Sequence, residues 1–240
     1  MQLTRERIIS AAMELIEREG VDAVSMRRIA AQLDSGVMAL YNHVPSKAAL
    51  LEGVAEQVMS GIDYSVDADA SWEDLVRAQA RAFREALRAH PRCAMVTVSR
   101  PATSPGELRP MEHALTLLRS VGFGEDDAVR VVRMFIGYII GSLLREVGVA
   151  PGLVPQRPLG HDQAVLEADR PIGLDPADFP LVTSMSAEIM QRDHDADFEF
   201  GLNLLVHAIS ELRPARAKSG SAGLRARPGA ARRRSGRRRL

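Results

Sequence analysis

Residues 25–51 read SMRRIAAQLDSGVMALYNHVPSKAALL, and their spacing sets the fold. Met26, Ile29, Ala30 and Leu33 fall at i, i+3, i+4 and i+7, the apolar stripe of a helix that Ser25 can cap. Asp34-Ser35-Gly36 is a turn signal. Val37, Leu40, Tyr41 and Val44 then repeat the same stripe until Pro45 ends it. Ser46 caps a further helix with Leu50, Leu51, Val54 and Val58 on one face. Upstream, Ile8, Ala12, Leu15 and Ile16 form an earlier stripe between a Thr4 cap and a Gly20 stop.

Three short helices, the second and third joined by a three-residue turn, predict a helix-turn-helix. The third helix of such a unit enters the major groove while its apolar stripe stays packed. The residues between stripe positions then face DNA: Gly36, Met38, Ala39, Asn42 and His43. The Tyr41 hydroxyl can reach a phosphate, and Lys47 sits at a helix N-terminus, where ammonium and free backbone N–H groups both favour phosphate.

The stretch Ser25–Leu33, the spacing Leu40-Tyr41-x-His43-x-x-x-Lys47 and the following Ala48–Leu51 resemble the DNA-binding domain of the TetR family of bacterial regulators. The resemblance covers about residues 5–55. It implies phosphate contacts at Tyr41, His43 and Lys47, backbone contacts at Arg27 and Arg28, and an approach to base edges by Val37, Met38 and Ala39. The family's turn usually carries Gly, an apolar residue and Ser or Thr. Here it carries Asp34, Ser35 and Gly36, and Asp34 must take the left-handed conformation there.

The rest of the chain keeps helical spacing and shows almost no strand alternation, so the predicted fold is all-α, with about nine or ten helices. A helix-turn-helix domain (1–50) precedes a larger helical ligand-binding and dimerisation domain (51–212) and a basic disordered tail (213–240). Predicted helices run from Ser71 to about Ala89, over Met111–Val121 and Asp126–Val147, and from about Leu181 to Leu212. Pro101–Pro110 and Gly148–Pro180, rich in Pro and Gly, read as loops.

The formal charge of zero conceals a division. Residues 213–240 hold eleven basic side chains and no acidic one, which leaves the first 212 residues at −11. An acidic body argues against broad wrapping of DNA and confines contact to a small face. The tail can add salt-sensitive DNA affinity or stay solvated.

The single cysteine, Cys93, excludes an internal disulfide framework and suits a reducing cytoplasm. No signal peptide is expected from the opening MQLTRERIIS, and the apolar run Met134–Leu144 is shorter than the ~20 residues of a membrane span. No catalytic triad, glycine-rich phosphate loop or metal-ligand spacing stands out, so the reading includes no enzyme activity, no cofactor and no metal. His90, Arg92, Arg100 and Arg109 read as solvated surface.

Two helices suggest a homodimer. Phe198, Leu202, Leu205, Ile209 and Leu212 alternate steps of four and three, while Val132, Ile136, Ile139 and Leu143 lie on a broad apolar face. Intramolecular core accounts for part of both stripes; the family resemblance favours an interface, with Gly137 and Gly141 allowing close approach. The resemblance also implies an effector cavity for an unknown small-molecule inducer. Phe83, Met95, His113, Leu117, Met134, Phe135 and Tyr138 are the candidates to face it. The expected function is a ligand-responsive transcriptional regulator on a double-stranded, pseudo-palindromic operator, with repression favoured over activation.

Overall fold

The computed structural model describes residues 2–65, 69–146, 175–191 and 193–213, and among them there are helices and no strands. Four helices make the N-terminal part: α1 (Arg5–Glu19), α2 (Met26–Gln32), α3 (Val37–Tyr41) and α4 (Lys47–Ser60), with a 3₁₀ turn over Val21–Ala23. The body continues with α5 (Trp72–Ala89), α6 (Pro91–Val98), α7 (Pro105–Ser120) and α8 (Glu125–Glu146). After the undescribed 147–174 come α9 (Pro180–Ser184), α10 (Ser186–Met190) and α11 (His194–Leu212). Most of the long loop expected over 148–180, and the tail after Arg213, lie outside the described residues.

Local chemistry sets these boundaries. The hydroxyls of Thr4, Ser25, Ser46 and Ser71 accept from the backbone N–H groups of Arg7, Arg28, Ala49 and Asp74, each satisfying a donor that the first turn leaves free. Gly20 closes α1 at φ 89° and returns its N–H to the Ile16 carbonyl at 2.8 Å.

Two boundaries differ from the sequence reading. α7 starts at Pro105, inside the expected loop, because Ser104 and Glu107 form a reciprocal capping box and Pro105 suits the first turn. Ser104-Pro105-Gly106-Glu107 carries the capping-box signature, and Pro110 sits within the helix. The expected single helix 181–212 is broken. Gln191 takes an extended conformation, and the Asp193 carboxylate accepts from Ala196 N–H at 2.9 Å to start α11 afresh.

One contiguous apolar core joins both parts, running from Ile8, Leu15 and Ile29 through Leu50 and Val54 to Leu87, Leu143, Phe198 and Ile209. α4 straddles the division at residue 50: it packs on α1 on one side and on α5, α6 and α7 on the other. α6 also grips α1. Cys93 N–H donates to the Glu17 carboxylate at 2.8 Å, and the Arg92 guanidinium donates to the Arg18 carbonyl at 2.9 Å. Arg92 is thus a joint between the two parts, not the solvated side chain expected. Burial pushes the Cys93 thiol well above its ordinary range, so this cysteine is packing and not a reactive group.

Candidate nucleic-acid interface and effector cavity

Most of the stripe residues go inward, with Leu33 and Val37 half-buried and Tyr41 the exception. Met26, Ile29, Ala30, Leu40 and Val44 are buried. Asp34 adopts φ 48°, the left-handed conformation the turn demands, and Ser35 N–H closes it on the Ala30 carbonyl at 2.9 Å. α3 is only five residues long, starts from Gly36 without a side-chain cap, and gives way to a turn at Asn42.

The outward face is thereby fixed. Met38 is 75% and Tyr41 is 41% exposed, large apolar groups that packing alone would have hidden. Gly36, Asn42, His43 and Lys47 are exposed beside them, with Val37 and Ala39 half-buried at the edge. Arg27 and Arg28 are exposed at the start of α2. Arg28 is held: it pairs with Glu19 at 2.6 Å, so its charge is partly spent within the chain. Lys47 occupies the first position of α4, where Ser46 uses Ala49 N–H and other first-turn donors stay free for an anion. Of the ten residues read from the sequence, eight are exposed and Val37 and Ala39 are half-buried.

The body holds an apolar cavity between α5, α7 and α8, with about 640 Å³ of free space including its open mouth. Val76, Ala80 and Phe83 wall it from α5; Pro110, Met111, Ala114 and Leu117 from α7; Val131, Val132, Phe135, Ile136 and Ile139 from α8. Ile62 and Tyr64, just beyond α4, complete it, and Gln79 is the polar side chain among them.

Of the seven candidates for this cavity, Phe83, Leu117 and Phe135 line it. His113 stands behind the wall, its ring stacked on Tyr64 at 4.0 Å and 8°. Met95 lies on α6, and Met134 is exposed on α8. Tyr138 turns toward α11, stacks on Phe198 at 5.6 Å and donates to the Phe198 carbonyl at 2.7 Å. Tyr64 was missed because it follows the last turn of α4 in a stretch without periodicity.

A relay of contacts connects the cavity wall with α4. Thr103 donates to Glu52 of α4 at 3.0 Å, and Gly106 of α7 lies so close to Glu56 that an added Cβ would stand 3.1 Å from its Cγ. Glu56 in turn pairs with Arg5 of α1 at 3.0 Å. The corner before α7 is rigid: the buried Glu107 carboxylate accepts from Thr103 and Ser104 N–H and pairs with Arg100, which is a structural partner and not the solvated residue expected.

Of the eight expected interface residues, Val132, Ile139, Leu143, Phe198, Leu202 and Ile209 are buried within one protomer, and Ile136 and Leu205 are half-buried against its core. The same two helices expose a different strip: Met134 on α8, and Phe200, Leu204 and Leu212 on α11. Gly137 and Gly141 face open space. No described helix is long and apolar enough to cross a membrane, and no described cluster of three or more metal-binding side chains occurs.

Comparison with known proteins agrees in both halves. The family described as "Bacterial regulatory proteins, tetR family" matches residues 8–54, and "Tetracyclin repressor-like, C-terminal domain" matches 66–213. The HTH-type transcriptional repressor DrrR1 of Streptomyces coeruleorubidus is 30% identical over 228 residues, covering 88% of this chain and 78% of that protein. A crystal structure of a possible TetR family transcriptional regulator from Streptomyces coelicolor A3(2) superposes with a TM-score of 0.71 at 31% identity, over 87% of this chain and 100% of that one. The Streptomyces coelicolor TetR family protein ActR, in complex with actinorhodin, gives a TM-score of 0.72 at 26% identity, over 89% and 99%. With both halves matched and the helix-turn-helix formed, the chain belongs to the TetR family of DNA-binding transcriptional regulators.

Proposed function

We propose that the chain is a repressor that holds a pseudo-palindromic operator as a two-fold dimer and leaves it when a small molecule fills the cavity. The observation that carries this reading is the shared use of α7. Its Pro110, Met111 and Ala114 wall the cavity, while its N-terminal turn, at Gly106, packs on α4. α4 begins with Lys47, beside the DNA-facing α3, and is followed directly by Ile62 and Tyr64 of the cavity. A ligand that favours one position of α7 therefore also favours one position of α4, and the difference in its affinity for the two arrangements sets the loss of operator binding.

In this reading Tyr41, His43 and Lys47 grip phosphates and fix the register. Val37, Met38 and Ala39 meet base edges. None of these three carries a bidentate donor pair, so thymine methyl contact and groove shape supply the discrimination. The dimer forms along the exposed strip of Met134, Phe200, Leu204 and Leu212, with Gly137 and Gly141 allowing close approach, so that two recognition helices lie one helical turn of DNA apart. The role is binding and not catalysis, exercised on DNA in the cytoplasm. That ActR, of the same fold, has been crystallised with a small molecule supports ligand responsiveness.

The test is a titration of the operator-bound full chain with candidate effectors. Release that saturates, and that disappears when Ala114→Phe fills the cavity, is expected. Full operator affinity with the cavity occupied would overturn the mechanism.

A further inference from the structure

α11 carries the chain away from the DNA-reading unit. It starts beside the join of α5 and α6: Asp195, in its first turn, pairs with Arg84 at 2.7 Å and with Arg88, in the last turn of α5, at 3.0 Å. α6, the next element, is the one that grips α1. From there α11 runs for 19 residues, ~28 Å. Beyond it, Arg213 donates from its Nε to the Val121 carbonyl at 3.0 Å, and its guanidinium lies 5.6 Å from the ring of Trp72, the first residue of α5. Residues 214–240 therefore leave from the pole opposite α1.

What leaves there is strongly cationic. Residues 213–240 hold ten Arg and one Lys and no Asp or Glu. The charge is uneven. Arg232, Arg233, Arg234, Arg237, Arg238 and Arg239 fall in the last nine residues, while 214–231 carries four basic side chains among mostly Ala, Gly, Ser and Pro. The densest charge is thus the farthest along the chain from the body.

The pole itself is acidic, with Asp74, Glu125, Asp126 and Asp127 exposed on it. Three of these four already pair, with Arg77, Arg119 and Arg130, so the pole offers little to six further arginines. Its carboxylates act over ~8 Å at physiological salt, whereas the 18 residues before Arg232 span up to ~60 Å when extended. Guanidinium forks match phosphate oxygens bidentately. The stretch has no aromatic residue, and its large apolar ones are Leu224 and Leu240, which suits a phosphate backbone and not insertion into a lipid surface.

We propose that the six arginines of 232–239 bind the phosphate backbone of a second DNA duplex, distinct from the operator under α3, so that one bound protein joins two DNA segments. The proposal rests on the DNA face around α3, and it adds a sequence-independent DNA site served from the opposite pole.

The test is capture of a second duplex. The full chain is bound to immobilised operator in excess, and a labelled duplex of unrelated sequence is then added at several salt concentrations. The complex should hold the labelled duplex, with an affinity that falls about a thousandfold between about 50 and 200 mM salt, as neutralising six phosphates demands. A full-length variant with Arg232→Gln and the same change at the other five arginines should keep operator affinity within about twofold and lose at least about a hundredfold in capture. Operator held without any second duplex, or capture that survives the six substitutions, would overturn the proposal and leave the operator reading intact. So would a large loss of operator affinity in the variant, which would put the tail on the same duplex as α3. Preference for phosphatidylserine vesicles over the labelled duplex at equal phosphate would overturn it in favour of a lipid surface. A full chain that holds no operator would overturn the reading of α3 and this proposal with it.

Discussion

Ile9 of α1 fills the space a side chain on Gly53 of α4 would need: its Cδ1 lies 2.5 Å, and its Cγ1 2.9 Å, from where a Cβ at residue 53 would stand. The DNA-binding unit and α4 therefore touch through a glycine, and their closeness depends on it. Gly53→Ala should destabilise the protein by about 1–3 kcal/mol, the usual cost of forcing extra volume into a packed contact. Gly124→Ala, in the turn before α8 with nothing near the added methyl, is a control for the methyl alone, without the ~1 kcal/mol that alanine gains over glycine inside a helix. Urea denaturation of the two variants checks this, and equal midpoints would show that Ile9 moves aside freely.

In the proposed complex Lys47 meets DNA as a charge and Tyr41 through its hydroxyl. Lys47→Ala should weaken operator binding for all sequences alike and reduce the slope of log affinity against log salt by about 1. Tyr41→Phe should weaken binding with the slope nearly unchanged. Titrations at several salt concentrations separate the two effects.

Arg84 is the best-buried cation among the described residues and ties three helices together. It pairs with Glu146 at 2.9 Å and Asp195 at 2.7 Å and lies over the Phe198 ring at 4.4 Å. Arg84→Ala leaves the half-buried Glu146 with only Arg88, so a loss of about 3 kcal/mol is expected. Adding Glu146→Gln to that variant should restore part of it, which a double-mutant cycle in urea measures.

α11 is docked by carboxylates that act only when ionised. Hydrogen bonds from Arg84, then the charge of Arg88, hold the Asp195 carboxyl below its ordinary 3.8. Hydrogen bonds from Arg81 hold Glu199 below 4.5. Groups lowered in the folded state stabilise it fully above those ordinary values, and the contribution is lost as pH falls through the lowered ones. Acid titration followed by helix circular dichroism, begun from equal neutral-pH stability set with urea, should therefore show unfolding at a higher pH in the wild type than in Asp195→Asn, which has no such contribution to lose.

The exposed strip on α8 and α11 gives a prediction about assembly. Leu204→Glu places a charge in the proposed interface, away from the protomer core, and should give a folded monomer in sedimentation at concentrations where the wild type is dimeric. A dimer that persists would move the interface elsewhere.

The recognition unit was legible because its cues are local. Serine caps, a tight turn and a seven-residue stripe act over a few residues, and the exposure of Met38 and Tyr41 follows from burying Leu40 and Val44. The body was legible as helices but less so as surfaces. The stripe from Phe198 to Ile209 marks a buried face, yet spacing alone does not tell an intramolecular neighbour from a second copy. Here α5 and α8 take that face, and Phe200 and Leu204 are left outside. Tyr64, Arg92 and Arg100 act through partners 49, 74 and 7 residues away or at a cavity, and no periodicity announces such contacts.

The central claim is that the face around α3 reads DNA. Selection of binding sites from random duplex DNA by the full chain, beside a Tyr41→Ala/Lys47→Ala variant, tests it most directly. The account predicts an enriched two-fold symmetric site for the wild type, with at least about a hundredfold loss of affinity for that site in the variant. Unselective binding that the two substitutions leave unchanged would contradict it and shift DNA contact away from α3.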